Sequence, residues 1–340
     1  MNVLVTGGAG YIGSHAALRL LTDGHAVTIF DDLSRGNRGA VDALRPLGDL
    51  CFVEAELGDR AQLDKALTDR SIEVVMHFAA KAYVGESVEI PLQYYRANTA
   101  GALSLLEAMV ACGVDRFVFS STCATYGEPP PEHIPITERC PQRPVNPYGR
   151  SKLVVEHMLR DHLHAAGDGF AFAALRYFNV AGCDAGGRLG EDHDPETHLI
   201  PNVLKVAQGQ RDNVHIFGTD YDTHDGTCVR DYVHVDDLAS AHVKAIEVVK
   251  PGQSRYYNAG TGRGSTVREV VEASREVTGH AIPTVEEGRR AGDVPVLCAD
   301  SSLIQRELGW KPRHVELTDI VSSAWNWHRN HPDGFGDRAE

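Results

Sequence analysis

Residues 146–152 read Asn-Pro-Tyr-Gly-Arg-Ser-Lys, which sets a phenol, Tyr148, and an ammonium, Lys152, four positions apart. Asn146 can cap a helix and Pro147 suits its first position, so Tyr148 falls in the first turn and Lys152 one turn later on the same face. Their heads can share one small site, an arrangement suited to proton transfer. Tyrosine ionises near pH 10 and is a weak base at pH 7, but a neighbouring ammonium and the positive end of the helix both favour its anion. Bringing the pKa to about 7 takes roughly 3 units, or ~4 kcal/mol, which requires a partly desolvated pair. An exposed Tyr-x-x-x-Lys on an ordinary surface helix would do none of this, so the reading depends on the rest of the chain.

The amino-terminal segment supplies a partner for such a site. Met1 to Gly13 is an apolar strand running into a turn with glycines at 7, 10 and 13, followed by the periodic helix Ser14 to Leu21. This is a strand, a phosphate cradle and a helix in order: the glycines allow a tight turn, close approach of backbone to a pyrophosphate, and close helix packing. A second strand, His25 to Phe30, ends at Asp31. A carboxylate about 20 residues past the glycines can accept from a ribose 2′-hydroxyl and repel a 2′-phosphate, so NAD is expected over NADP. Asp32 adds to that preference and Arg35 works mildly against it.

Between these features, Arg116-Phe-Val-Phe-Ser-Ser-Thr is an apolar strand that ends in hydroxyls. Ligands of open α/β sheets bind at the carboxyl ends of strands, where Ser120, Ser121 and Thr122 could hydrogen-bond a substrate oxygen or satisfy loop backbone. Apolar β-rich runs at Val3, Val27, 51–53, 74–77, 117–119 and 172–175 alternate with helical patterns, notably 93–111 and 149–165. The alternation predicts an α/β fold with a doubly wound parallel sheet of Rossmann type. After Asn179 the pattern changes to Gly/Asp-rich loops and a short helix at 199–208. Residues 1–178 are therefore read as an NAD-binding domain and 179–340 as a smaller carboxyl-terminal α/β substrate domain. Segments 230–249 and 256–259 are expected to cross back to the first, and the end from Pro332 to fray.

With these residues in view, the sequence resembles the extended short-chain dehydrogenase/reductase family, in its nucleotide-sugar 4-epimerase branch. The likeness runs in family order through His77-Phe-Ala-Ala-Lys-Ala-Tyr-Val-Gly-Glu-Ser, Leu175-Arg-Tyr-Phe-Asn-Val-Ala-Gly, the stretch 190–201, the stretch 221–238 and Arg289-Arg-Ala-Gly-Asp-Val-Pro. The resemblance implies NAD-dependent, reversible epimerisation at C4 of a UDP-hexose through a 4-keto sugar, with NAD retained through turnover. It assigns catalysis to Tyr148, Lys152 and Thr122. It places the cofactor against Gly7, Gly10, Tyr11, Ile12, Gly13, Asp31, Asp32, Glu56, Leu57, Phe78, Ala79, Ala80, Asn98, Ser120, Tyr148, Lys152 and Tyr177. The UDP-sugar falls to Thr122, Tyr148, Asn179, Leu199, Phe217, Arg230, Arg290, Asp293 and Leu297, with Leu297 either gating the sugar C2′ substituent or packing in the core. A homodimer through helices 93–111 and 149–165 is a further implication. Departures from the family pattern are Thr122 where serine is frequent, Glu56 where many members have aspartate, and Ala82 in place of a lysine near the cofactor. Asn98 reads equally as a helix-kinking functional group or as a satisfied structural asparagine.

Three other readings compete with this one. UDP-N-acetylhexosamine or UDP-xylose 4-epimerases share these motifs, whereas a dehydratase or decarboxylase needs further acid–base groups, and the strand-end loop Thr122-Cys-Ala-Thr offers no carboxylate. A non-catalytic NAD-binding regulator could dispense with the Tyr148/Lys152 pair. Composition bounds the rest: 340 residues, 42% hydrophobic, suffice for a sizeable core. The net charge of −14 disfavours nucleic acid and acidic membranes, and leaves any pyrophosphate site to a few local arginines. No apolar run reaches the ~18 residues of a membrane span, and seven cysteines without Cys-x-x-Cys or zinc-like spacing read as reduced thiols, with no metal expected. A cytoplasmic protein is the expectation.

Overall fold

The structure is a computed structural model in which residues 1–290 and 293–336 are described. Its centre is a seven-stranded sheet, all parallel. The strands are β1 (Asn2–Thr6), β2 (Ala26–Asp31), β3 (Leu50–Glu54), β4 (Val74–His77), β5 (Arg116–Thr122), β6 (Ala171–Tyr177) and, later in the chain, Ser254–Ala259. The spatial order runs 3-2-1-4-5-6, with Ser254–Ala259 outside β6. Strand order reverses between β1 and β4, which opens a crevice at their carboxyl ends. Helices cover both faces, as parallel strands buried on both sides require. Tyr11–Thr22 and Val235–Val248 pack on one face through Leu18, Leu238 and Ile246. Arg60–Asp69, Gly101–Cys112 and Pro147–Ala166 pack on the other through Leu63, Leu105 and Val155.

The Ser254–Ala259 strand is β10, and the remaining strands build a smaller unit: β7 (Asn179–Ala181), β8 (Val214–Phe217), β9 (Val229–His234), β11 (Gly264–Thr266), β12 (Thr284–Glu287) and β13 (Val296–Leu297). β9 is its hub, pairing with β7, β11 and β13, while β8 pairs with β12. Helices Leu199–Ala207, Val267–Thr278 and Leu317–Asn330 share a core with them through Leu204, Val270, Ile320 and Trp327.

Three expectations are corrected here. The segment 93–111 is not one regular helix: Pro91–Tyr94 gives way to a π-helical turn at Tyr95–Ala100, and only then to Gly101–Cys112. Of 230–249, the first part is β9 in the small sheet, and only Val235–Val248 packs against the large sheet and the Tyr11–Thr22 helix. The end does not fray from Pro332, because Phe335 donates its N–H to Asp192 and packs on Trp327; residues 337–340 lie outside the described residues.

Candidate active site

The glycine turn is compressed on all sides. Gly7 has φ +71°, and a Cβ there would lie 2.4 Å from the Ala79 nitrogen. A Cβ on Gly13 would lie 2.1 Å from the Gly7 oxygen, so the helix packs directly on the turn. Gly10 caps that helix with no side chain, which leaves its first N–H groups, from Tyr11, Ile12 and Gly13, pointing out of the helix end. Phe78 and Ala79 both donate to the Thr6 carbonyl, which fixes the loop after β4 beside the turn after β1. Asp31, at the end of β2, accepts from Ala9 N–H at 3.0 Å and Leu33 N–H at 2.9 Å. Burial pushes its carboxyl up to about 6. Asp32 bonds Ser34 and faces solvent. Arg35, the residue that argued for a 2′-phosphate, is instead engaged by Glu86 and the Asp194 carbonyl. Glu56 is exposed just past β3, and Leu57 packs at Gly101. A turn closed to a Cβ at Gly7 and Gly13, a bare helix end and a carboxylate one strand over are the set that a dinucleotide needs, so these residues fit NAD.

Tyr148 and Lys152 lie in the Pro147–Ala166 helix, where Asn146 accepts from Gly149 N–H at 2.8 Å as the cap and Pro147 takes the first position. Both side chains are buried. A Cβ on Gly149 would lie 2.5 Å from the Ala124 oxygen, so this helix end sits hard against the loop after β5 and carries Tyr148 to the Thr122 hydroxyl. The activation expected from the sequence takes a different form. Lys152 Nζ donates to the Ser120 carbonyl at 2.9 Å and lies 5.0 Å above the Phe119 ring, instead of bonding the phenol. Burial lowers Lys152 to about 7. Burial, with Tyr177 beside it, pushes Tyr148 well above its usual value, and a hydrogen bond with Thr122 pulls the other way. Ser120 Oγ meets the Tyr177 hydroxyl at 3.0 Å. Ser121 turns away from the crevice to Glu156 at 2.6 Å, where Glu156 pairs with buried Arg176.

Asn98 sits in the π-helical turn, buried, with both ends of its amide used. It accepts from Lys81 N–H at 2.8 Å and donates to the Lys81 carbonyl and to Ser151 Oγ, each at 3.0 Å. Ser151 in turn donates to the Tyr148 carbonyl. A π turn repositions one side chain within a helix, and here Asn98 ties Lys81, just past the Phe78–Ala80 loop, to the first turn of the Pro147–Ala166 helix.

Four of the residues expected at the substrate form one group in the small unit. Arg230 on β9 approaches Asp293 at 3.7 Å, Arg290 bonds Asp293 at 3.0 Å, and the Arg290 guanidinium lies 5.6 Å from the Phe217 ring. Asn179 begins β7 alongside Tyr232 of β9, and Leu199 begins its helix. Leu297 pairs with Arg230 in β13 and is half-buried against Tyr126, Phe178 and Ala299, in a cluster that also takes in Cys123. Ala291 and Gly292, inside the Arg289–Pro295 motif, lie outside the described residues. Among the described residues, sequence reasoning passed over one cluster. Glu191, His193, Glu196 and His198 converge in the loop before Leu199, and the spacing Glu-x-His-x-x-Glu-x-His was its visible signal.

Residues 3–260 match the NAD dependent epimerase/dehydratase family. The chain belongs to that family. It is 50% identical over 336 residues to a UDP-glucose 4-epimerase of Halalkalibacterium halodurans, covering 98% of each chain. It is 48% identical to UDP-arabinose 4-epimerase 1 of Arabidopsis thaliana, covering 98% of this chain and 81% of that one. Among solved structures, the UDP-glucose-4-epimerase of Stenotrophomonas maltophila, with bound NAD and formylated UDP-arabinopyranose, superposes with a TM-score of 0.93 at 44% identity, covering 98% and 99% of the two chains.

Proposed function

We propose that this family member catalyses the NAD-dependent, reversible epimerisation of a UDP-hexose at C4, interconverting UDP-glucose and UDP-galactose through a 4-keto sugar. The observation that carries the reading is the grouping of Tyr148, Lys152 and Thr122, all buried, at the end of β5, next to the strand ends that hold the glycine cradle. When bound, NAD supplies the hydride acceptor, the later donor and the positive charge of its oxidised ring. Tyr148, as its phenolate, is the group positioned to take the proton of the 4′-hydroxyl, and Thr122 holds the same oxygen; burial opposes that anion, so the positive nicotinamide ring and Lys152 would have to favour it. Lys152, fixed by the Ser120 carbonyl one helical turn on from Tyr148, carries its charge for only part of the time at neutral pH, because burial lowers it to about 7. The 4-keto sugar must show its other face before the hydride returns, so the hold belongs on the UDP end. Arg230 and Arg290 suit a diphosphate because each guanidinium fork can bond two oxygens, and Asp293 orients both. Tyr148 then returns the proton to the new 4′-oxygen.

We place the partner surface of a homodimer on the helix layer of Val84–Glu89, Pro91–Tyr94, Gly101–Cys112 and Pro147–Ala166. Val88, Leu92, Leu103, Val110 and Val154 are exposed there, and support the reading. All seven cysteines are free thiols, which supports a reducing compartment and hence the cytoplasm. Separate incubations with UDP-glucose, UDP-N-acetylglucosamine and UDP-xylose, resolved by chromatography, test the function. UDP-galactose from UDP-glucose is expected; turnover of the pentose alone, or of none, rejects the hexose assignment.

A further inference from the structure

Glu191, His193, Glu196 and His198 occupy the loop between β7 and the Leu199–Ala207 helix, and one donor atom from each lies within 4.8 Å of all the others. Both carboxylates are buried. Both imidazoles turn Nδ1 to the centre. His198 Nδ1 stands 3.0 Å from a Glu191 oxygen and 2.9 Å from a Glu196 oxygen, and His193 Nδ1 stands 3.3 and 3.7 Å from the same two groups. A tetrahedral ion with ligands at ~2.0–2.1 Å has ligand-to-ligand edges of roughly 3.3–3.4 Å, which these four distances bracket. Hydrogen bonds alone do not account for the cluster. The two Nδ1 atoms together carry at most two protons against four carboxylate approaches, and His193 Nδ1 is buried with no hydrogen-bond partner.

We propose that these four residues bind one divalent transition-metal ion, zinc by preference, in a closed four-coordinate structural site. Two carboxylates neutralise the ion, and a set of two imidazoles and two carboxylates suits zinc better than magnesium, which favours six oxygens. The loop is already held from outside. Arg35 donates to the Asp194 carbonyl at 2.8 Å, Asn37 to the Asp192 carbonyl at 3.0 Å, and the Tyr11 and Tyr83 rings stand edge-on to His193 at 6.0 and 5.9 Å. Tyr11 belongs to the first turn after the glycine cradle and Leu199 directly follows His198. The ion therefore pins the cofactor turn to the helix that begins at Leu199. All four positions are filled by the protein, so the role is structural and leaves no place for a metal-bound water.

The test uses tag-free, full-length protein saturated with Zn²⁺ and freed of excess, with elemental analysis per chain and melting temperature with and without a chelator. Glu191→Gln and His193→Gln are carried in parallel. About one zinc per chain is expected, with a melting temperature that falls on chelation. Each variant should bind zinc more weakly by more than the roughly 10–100-fold that losing an outer-shell partner costs, and Mg²⁺ should not substitute. Wild-type protein that holds no zinc after saturation and melts alike with or without chelator overturns the proposal, as do variants that retain as much zinc as wild type. The cluster is then an ion pair of protonated histidines, with His198 carried up to about 10 by the Glu191 and Glu196 carboxylates against the downward pull of burial. If the variants do not fold, the wild-type zinc content and its response to chelator still decide.

Discussion

Replacing Tyr148 by phenylalanine removes one oxygen and leaves the ring. The side chain is 6% exposed, so the substitution opens no cavity and admits little water to stand in for the lost hydroxyl. Lys152 is untouched, since its ammonium is held by the Ser120 carbonyl and the Phe119 ring. The fold therefore loses only the hydrogen bond with Thr122, worth about 1 kcal/mol. The reaction loses its positioned acid and base, worth ~10²–10⁴ in rate, or roughly 3–5 kcal/mol of barrier. Burial favours the upper half of that range. The assay is kcat for UDP-glucose by chromatography at saturating substrate, with UDP affinity by titration and melting temperature as controls. A fall in kcat with UDP affinity kept within about threefold is expected. Turnover within about tenfold of wild type would refute the assignment of Tyr148, and so would a loss that merely tracks lost UDP binding or unfolding.

Three other expectations come from particular side chains. Asp31 titrates near 6 because burial raises it, and its ionised form is the one that accepts from a ribose hydroxyl. NAD retention should therefore be full at pH 7.5 and fall as pH drops through about 6, whereas Asp31→Asn should show weak retention with no such pH step; retention unchanged at pH 5 would contradict this. The stability sign is opposite: an acid with a raised folded pKa makes ionised Asp31 a cost of up to ~3 kcal/mol, incurred as pH rises from about 4 to 6 and constant above. Asn98→Ala strands the Lys81 N–H and should cost ~1–3 kcal/mol in chemical denaturation, with a fall in kcat because Lys81, just past the Phe78–Ala80 loop, loses its tie to Ser151; wild-type kcat in a folded variant would make Asn98 purely structural. Leu297→Tyr should cut kcat/KM for UDP-N-acetylglucosamine by roughly 10–200-fold while sparing UDP-glucose, and an unchanged ratio would remove Leu297 from the sugar site.

What could be read from the sequence was chemistry encoded locally. Asn146, Pro147, Tyr148 and Lys152 specify their own cap, first turn and shared face, and Gly7 and Gly13 specify a turn that admits no side chain at either position. The alternation of apolar runs likewise placed the six sequential strands within one or two residues of β1 to β6. What was not legible depends on contacts distant in sequence or on irregular backbone. Ser121 reads like Ser120 and Thr122, yet it faces Glu156, thirty-five positions away, because strand alternation turns it to the opposite side of the sheet. The π turn at Asn98 leaves no mark in composition, and its side chain is held by Lys81, seventeen positions away. Lys152 was expected at the phenol and is instead at the Ser120 carbonyl, a choice made by the packing of the helix on β5. The four donors of 191–198 stand in a loop without periodicity, so only the fold brings them to one point.

The central claim is that one hydrogen leaves C4′ of the sugar and comes back to the same carbon on the other face. UDP-glucose carrying deuterium at the sugar C4, incubated in ordinary water with the protein and no added cofactor, tests this directly. The account predicts UDP-galactose with deuterium retained at C4 and none lost to solvent, read by mass spectrometry and proton NMR. Deuterium exchanged into water, or UDP-galactose formed only when NAD is supplied in stoichiometric amounts, would contradict it.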